Sequence, residues 1–241
     1  MTTGTIEKSP QVYARIAAIL YLLIIVVGAL NQIFIRGRLI VSGDAMSTAE
    51  NIVTAESLWR IGIAGDIIMH VYDIPIILIL YILLKPVNKN LALLAVLFNL
   101  IQTAVLVVNK LNLLMPLFLL GNADYLKVIE PSQLYALSYL FVRAHDFGFG
   151  IGLIFFGFAC LIYGYLLFRS GYFPRAVGVL MVIAGLSYLT NSFTLILAPE
   201  YSGAIFPVLA LALIGELSLS LWLVLKGVNL PKWGQRALES A

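Results

Sequence analysis

The chain is expected to be all-α: a polytopic membrane helix bundle of six transmembrane helices plus a short outer interfacial helix. Three observations predict this. Its 241 residues are 61% hydrophobic and 11% charged, with mean hydropathy +1.00, whereas a soluble domain carries about 25% charged residues. Six apolar runs, near 13–35, 60–84, 90–119, 143–168, 175–197 and 204–226, each suit a helix of the roughly 20 residues needed to cross about 30 Å of hydrocarbon. The turns "KPVNKN" and "RSGYFPR" are short and carry Gly and Pro breakers. With no linker and no shift in composition, residues 1–241 read as one transmembrane domain.

The first run follows Lys8 and Arg15, as the apolar core of a signal peptide would. The stretch from Ile16 to Leu30 is at the upper end for a signal, and no clean small-x-small site precedes Asn31-Gln32. It is therefore expected to remain as a span. In "SGDAMSTAENIVTAESLWR", Ser47 and Glu50 have capping-box spacing, and Ile52, Val53 and Leu58 form a narrow apolar stripe. A helix over 44–58, too short and too polar to cross, is expected on the outer surface. The second run contains Pro75, which frees a backbone carbonyl near Val71. Before the fourth run comes "EPSQLYALSYLFVRAHDFGFG". One straight helix from Ser132 to Phe168 would be about 55 Å long, so a bend near Gly148 or an outer extension is expected. Trp59 and Trp222 suit interface or lipid-facing anchors.

Basic residues set the orientation. With the N-terminus inside, Lys8, Arg15, Lys85, Lys89, Arg169, Arg175, Lys226, Lys232 and Arg236 are cytoplasmic. Arg36, Arg38, Arg60, Lys110, Lys127 and Arg143 are then outside. This bias predicts a cell-membrane protein with both termini cytoplasmic. The net charge of +3 is small and scattered, which argues against nucleic acid. The single cysteine, Cys160, lies in an apolar run and excludes a disulfide framework.

Three segments together, "YARIAAILYLLIIVVGAL", "SGDAMSTAENIVTAESLWRIGIAGDIIMHVYDIPIILILYILL" and "RSGYFPRAVGVLMVIAGLSYLTNSF", resemble a family of prokaryotic multi-span membrane proteins, domain of unknown function four-three-eight-six. The resemblance implies a helical integral membrane protein and assigns it no activity or site residues.

A candidate site must therefore come from the polar residues inside the runs. In "GDIIMHVYDIP", Asp66, His70 and Asp73 fall within about 60° on one helix face. A charge at the bilayer centre costs about 2.5–3.5 kcal/mol, so such a face should meet the interior of the bundle. Asn99, Gln102 and Asn109 share an arc of about 80° on the third run. The fourth run opens with Arg143, His145 and Asp146, and Gly148 and Gly152 share the His145 face. Tyr188 and Asn191 lie on the fifth run and Glu216 on the sixth. The expectation is one outward-facing cavity that unites these groups, with Arg60 and Arg143 near its mouth. Each member also has a bland use, since Asn and Gln in spans often only join helices, at about 0.6–2 kcal/mol per bond.

Three functions follow from this residue set. His70, His145 and Asp66 could hold a divalent metal such as zinc, with Asp73 or Glu216 as a catalytic base in a metal-dependent, lipid-modifying hydrolase. No recognised zinc motif supports this, and two histidines are a sparse set. The same acids and His70 could carry protons or a cation through a small transporter or channel, although no internal repeat is evident. A third function is non-enzymatic binding of membrane lipid or a small apolar ligand. There is no P-loop, dinucleotide fingerprint or nucleophile elbow. Ser187 and Ser192 suit helix packing.

Overall fold

A computed structural model describes residues 9–240, so Lys8 lies outside the described residues. The described chain is all-α, and six of its helices are long and apolar enough to span a membrane. We number the helices α1 (Pro10–Leu39), α2 (Ala45–Thr54), α3 (Glu56–Leu84), α4 (Lys89–Leu119), α5 (Pro131–Ser170), α6 (Arg175–Leu197), α7 (Pro199–Leu225) and α8 (Leu230–Glu239). All but α2 and α8 are of spanning length. The chain divides into two compact units, residues 1–22, 72–102 and 153–241 in one, and residues 23–71 and 103–152 in the other.

In the unit built from 23–71 and 103–152, Ile35, Leu39, Ile52, Trp59, Ile63, Leu113 and Val142 form the core. Trp59 is only 2% exposed, and its Nε1 donates to the Leu113 carbonyl at 2.8 Å. It is a buried core residue rather than the interfacial anchor expected, because its one polar atom finds a partner inside the unit. Helix α2 begins one turn earlier than the capping-box spacing suggested. Asp44 is the N-cap and accepts from the Ser47 amide at 2.9 Å and the Ser47 hydroxyl at 2.6 Å. A carboxylate satisfies the orphan amides of a first turn better than a serine hydroxyl can. Helix α5 is continuous through Gly148, with no break there. At 40 residues it extends roughly 60 Å, longer than the bilayer needs.

In the other unit, α5 and α6 cross on two matched glycine pairs. A Cβ on Gly178 would lie 2.7 Å from the Gly164 carbonyl, and one on Gly185 would lie 2.7 Å from that of Gly157. The seven-residue spacing is the same on both antiparallel helices, so two backbone-to-backbone contacts form in register. Small residues are how helices gain van der Waals contact where lipid removes the hydrophobic drive. Gly215 of α7 meets the Leu180 carbonyl of α6 in the same way. Around these crossings Cys160, Leu166, Leu167, Met181, Leu219 and Leu223 are buried. Ser192 is buried in α6, and Ser187 returns its hydroxyl to the Ile183 carbonyl, as packing serines do.

Two outcomes follow. Gly178→Ala should destabilise the detergent-solubilised protein by about 1–3 kcal/mol in thermal unfolding. Gly203→Ala, where an added Cβ meets nothing within 4 Å, should be neutral or slightly stabilising; equal losses at both positions would refute the close crossing. The hydrogen bonds from Ser47 hold the Asp44 carboxyl below its ordinary value of 3.8. A lowered folded value means the cap stabilises α2 above that ordinary value and loses this effect as pH falls through the folded one. Hydrogen exchange in 45–54 should therefore accelerate on acidification, beyond the intrinsic pH trend, in the wild type and not in Asp44→Ala.

Candidate charge cluster within the spans

The site is built on a winding defect in α1. Residues Asn31–Arg36 adopt a π-helical turn. In a regular α-helix, residues five apart point about 140° away from each other. The i→i+5 winding of a π turn instead stacks them, so Asn31 and Arg36 reach the same target. That target is Asp66 of α3. Asn31 Nδ2 donates to its Oδ1 at 2.7 Å and also to the Gly62 carbonyl at 2.9 Å. Arg36 Nη1 meets its Oδ2 at 2.6 Å, and Lys110 Nζ of α4 meets the same oxygen at 2.9 Å. Side-chain exposure is 0% for Asp66, 4% for Lys110 and 18% for Arg36. Gly62 and Gly65 let α1 approach, since a Cβ on either would press on Ile35 or Asn31 at 3.1–3.3 Å.

His145 of α5 joins from the other side. Its Nε2 lies 3.4 Å from Lys110 Nζ, and its Nδ1 lies 3.9 Å from Asp146 Oδ1. Asn109 holds the backbone here by donating to the His145 carbonyl at 2.9 Å, and Gly148 makes room for that amide. Asp146 is paired with Arg143 at 3.0 Å, and both are about half exposed. The contacts therefore lead from a fully buried carboxylate through an ammonium and an imidazole to an acid that meets the surface. A cavity of about 10 Å³, near the lower limit for one water, is bounded by Asn31, Arg36, Trp59 and Leu113.

The other unit holds a second polar group. Tyr188 of α6 hydrogen-bonds Glu216 of α7, and Asp73, Tyr21 and Cys160 lie within electrostatic range of this pair. Asn99 and Gln102 are buried on α4 in the same unit, and Asn191 is half-buried on α6. His70, on α3, is buried in the unit that contains Asp66.

Of the residues singled out from sequence, Asp66, Asn109, His145, Asp146 and Arg143 come together, as do Asp73, Tyr188 and Glu216. Arg60 instead pairs with Glu56 at 2.7 Å on an exposed face. Among the described residues, no three His, Cys, Asp or Glu side chains are grouped to hold a metal ion. Both Asp66 oxygens already accept from Asn31, Arg36 and Lys110, and an ammonium stands beside His145 Nε2. This donor set does not fit zinc, which takes three or four such ligands. Three members of the cluster, Asn31, Arg36 and Lys110, were missed as site residues. Lys110 carried a signal: it interrupts the apolar run "VLVVNKLNLLMP", where a cation needs a partner.

Fold and site together define a multi-pass, all-α membrane protein with a buried ion network in its spans. The chain belongs to the family described as a domain of unknown function (DUF4386), which matches residues 16–227. It is also similar to an uncharacterized protein of Archaeoglobus fulgidus, 27% identical over 168 residues, 70% of this chain and 85% of that protein. No solved structure matches.

Removing Asp66 alone should strand one buried and one partly buried cation. Asp66→Asn is expected to cost about 3–5 kcal/mol in thermal unfolding, and the triple change Arg36→Met, Asp66→Leu, Lys110→Met should recover most of it. A triple variant less stable than Asp66→Asn would show that the network is mainly a stability device.

Proposed function

We propose that this protein is a small proton-conducting transporter or channel of the cell membrane. The observation that carries this is the placement of Lys110, buried, with its ammonium between the Asp66 carboxylate at 2.9 Å and His145 Nε2 at 3.4 Å. Carboxylate, ammonium and imidazole in succession form a chain along which a proton can move by short steps. The imidazole accepts at Nε2 and releases at Nδ1 toward Asp146, whose half-exposed carboxylate exchanges with water. Asp66 and Arg36 keep the chain charged and in register. Ion networks of this kind are expensive to bury and add little stability, so their presence in a span points to charge movement. The ligand count at these residues gives a metal-dependent hydrolase less support.

The basic-residue bias supports an orientation with both termini cytoplasmic, which puts Asp146 on the outer side. Cysteines placed at the exposed positions Asp124 and Tyr201 should then label from outside, and one at Asn88 from inside. Labelling of position 124 from the cytoplasmic side alone would reverse the topology.

The transport assignment is tested in proteoliposomes that contain a pH-sensitive dye. An imposed pH gradient should collapse faster than in protein-free vesicles. Lys110→Met and His145→Phe should slow this by on the order of a hundredfold, as loss of a proton-transfer group does. Asp146→Asn should have a smaller effect. Wild-type flux no greater than that of empty vesicles would sink the proposal.

A further inference from the structure

The unit that contains α6, α7 and α8 carries a second feature, remote in sequence from Asp66 and its partners. Where α5 turns into α6, and where α7 ends before α8, residues 171–174 and 226–229 border an open pocket of about 300 Å³. This is the lower end of the range for small-ligand sites. Its walls are Tyr172, Phe173, Trp222, Lys226 and Asn229, with Gly171 and Gly227 at the turns. Those two glycines have φ of +75° and +68°, a left-handed backbone that lets both turns reverse tightly.

The walls are held by hydrogen bonds from distant segments. Tyr172 donates its hydroxyl to the Leu83 carbonyl at 2.6 Å, and Trp222 Nε1 donates to the Gly227 carbonyl at 3.0 Å. Gln11 of α1 clamps the second turn at both edges: its Nε2 donates to the Lys226 carbonyl at 3.0 Å, and its Oε1 accepts from the Val228 amide at 2.9 Å. The Lys226 ammonium is left exposed, and no carboxylate pairs with it among the described residues. The surroundings are basic as well. Arg169, Arg175, Lys232 and Arg236 flank the pocket in sequence, and among the described residues near them in sequence only Glu239 opposes them, paired with Arg236 at 3.3 Å. Helix α8 begins at this cavity and sets Leu230 and Trp233 on one face and Lys232 and Arg236 on the other. This is the pattern of a helix lying in a membrane interface.

We propose that this cavity is a headgroup site for an anionic phospholipid of the leaflet on that side. The half-buried indole of Trp222, backed by the buried Tyr172 and Phe173, suits the glycerol and upper acyl region of a lipid, and Lys226 meets the phosphate. The position at the ends of α5, α6 and α7 is where headgroups lie. A free phosphate has no use for the Trp222 wall, and a zwitterionic headgroup sets its own cation against the basic surround.

The test uses the full chain, delipidated in maltoside micelles and titrated with dioleoylphosphatidylglycerol or dioleoylphosphatidylcholine, with bound lipid counted by native mass spectrometry. The phosphatidylglycerol should be retained over the phosphatidylcholine. Lys226→Gln should weaken its retention about fivefold, the effect of one surface cation, and Lys226→Arg should preserve it. Because Lys226 is exposed, both variants should elute as the wild type on size exclusion. Equal retention of the two lipids, unchanged binding by Lys226→Gln, or displacement of the lipid by inorganic phosphate would each overturn the proposal. So would a dimer of this chain that seals the cavity.

Discussion

A carboxylate with no exposed surface, set in an apolar span, is the constraint on which the unit around Asp66 depends. An ion moved out of water costs several kcal/mol even after relaxation, and only close opposite charges offset that. Arg36 and Lys110 supply them, and Asn31 fills the second oxygen. These partners come from two other helices, so the demands of one side chain on α3 bring α1 and α4 to it. The glycines at 62 and 65, the π turn in α1 and the apolar core around Trp59 all serve that approach.

The π turn shows how this constraint reaches the backbone. An extra residue in one turn sacrifices regular α-helical hydrogen bonds, which local propensity does not favour. In return, two side chains five residues apart act on one carboxylate. Arg36 is further steadied by its Nε donating to Gln32 Oε1 at 3.2 Å. The winding defect has its physical cause in the buried charge it serves, since an apolar contact would not need it.

The unit containing α6 and α7 is organised by different physics. There the helices meet through glycines whose backbones touch, and the described buried polar groups are hydroxyls, carboxyls and amides rather than cations. Close backbone contact gives attraction without burying charge. Tyr188 and Glu216 can thus share a hydrogen bond in the interior without a lysine or arginine to balance them. Among the described residues, one unit therefore balances its interior carboxylate with lysine and arginine, and the other hydrogen-bonds its own to a tyrosine.

Composition and run length determined the all-α class and the six spans, because hydrocarbon thickness leaves a chain few other solutions, and a capping pattern with a narrow apolar stripe marked the short helix between the first two. Helical phase singled out the face of Asp66, His70 and Asp73, and position within an apolar run singled out Glu216, as residues needing partners. Neither could choose the partners. Lys110 and Arg36 were counted as loop-side charges because a one-dimensional pattern does not show which charges neutralise one another. Trp59 looked like an anchor because its partner, the Leu113 carbonyl, is 54 residues away. Only the tertiary structure turned a face of unsatisfied ionisable groups into an ion network, since the pairing energy that makes a buried charge tolerable exists only once separate helices have met.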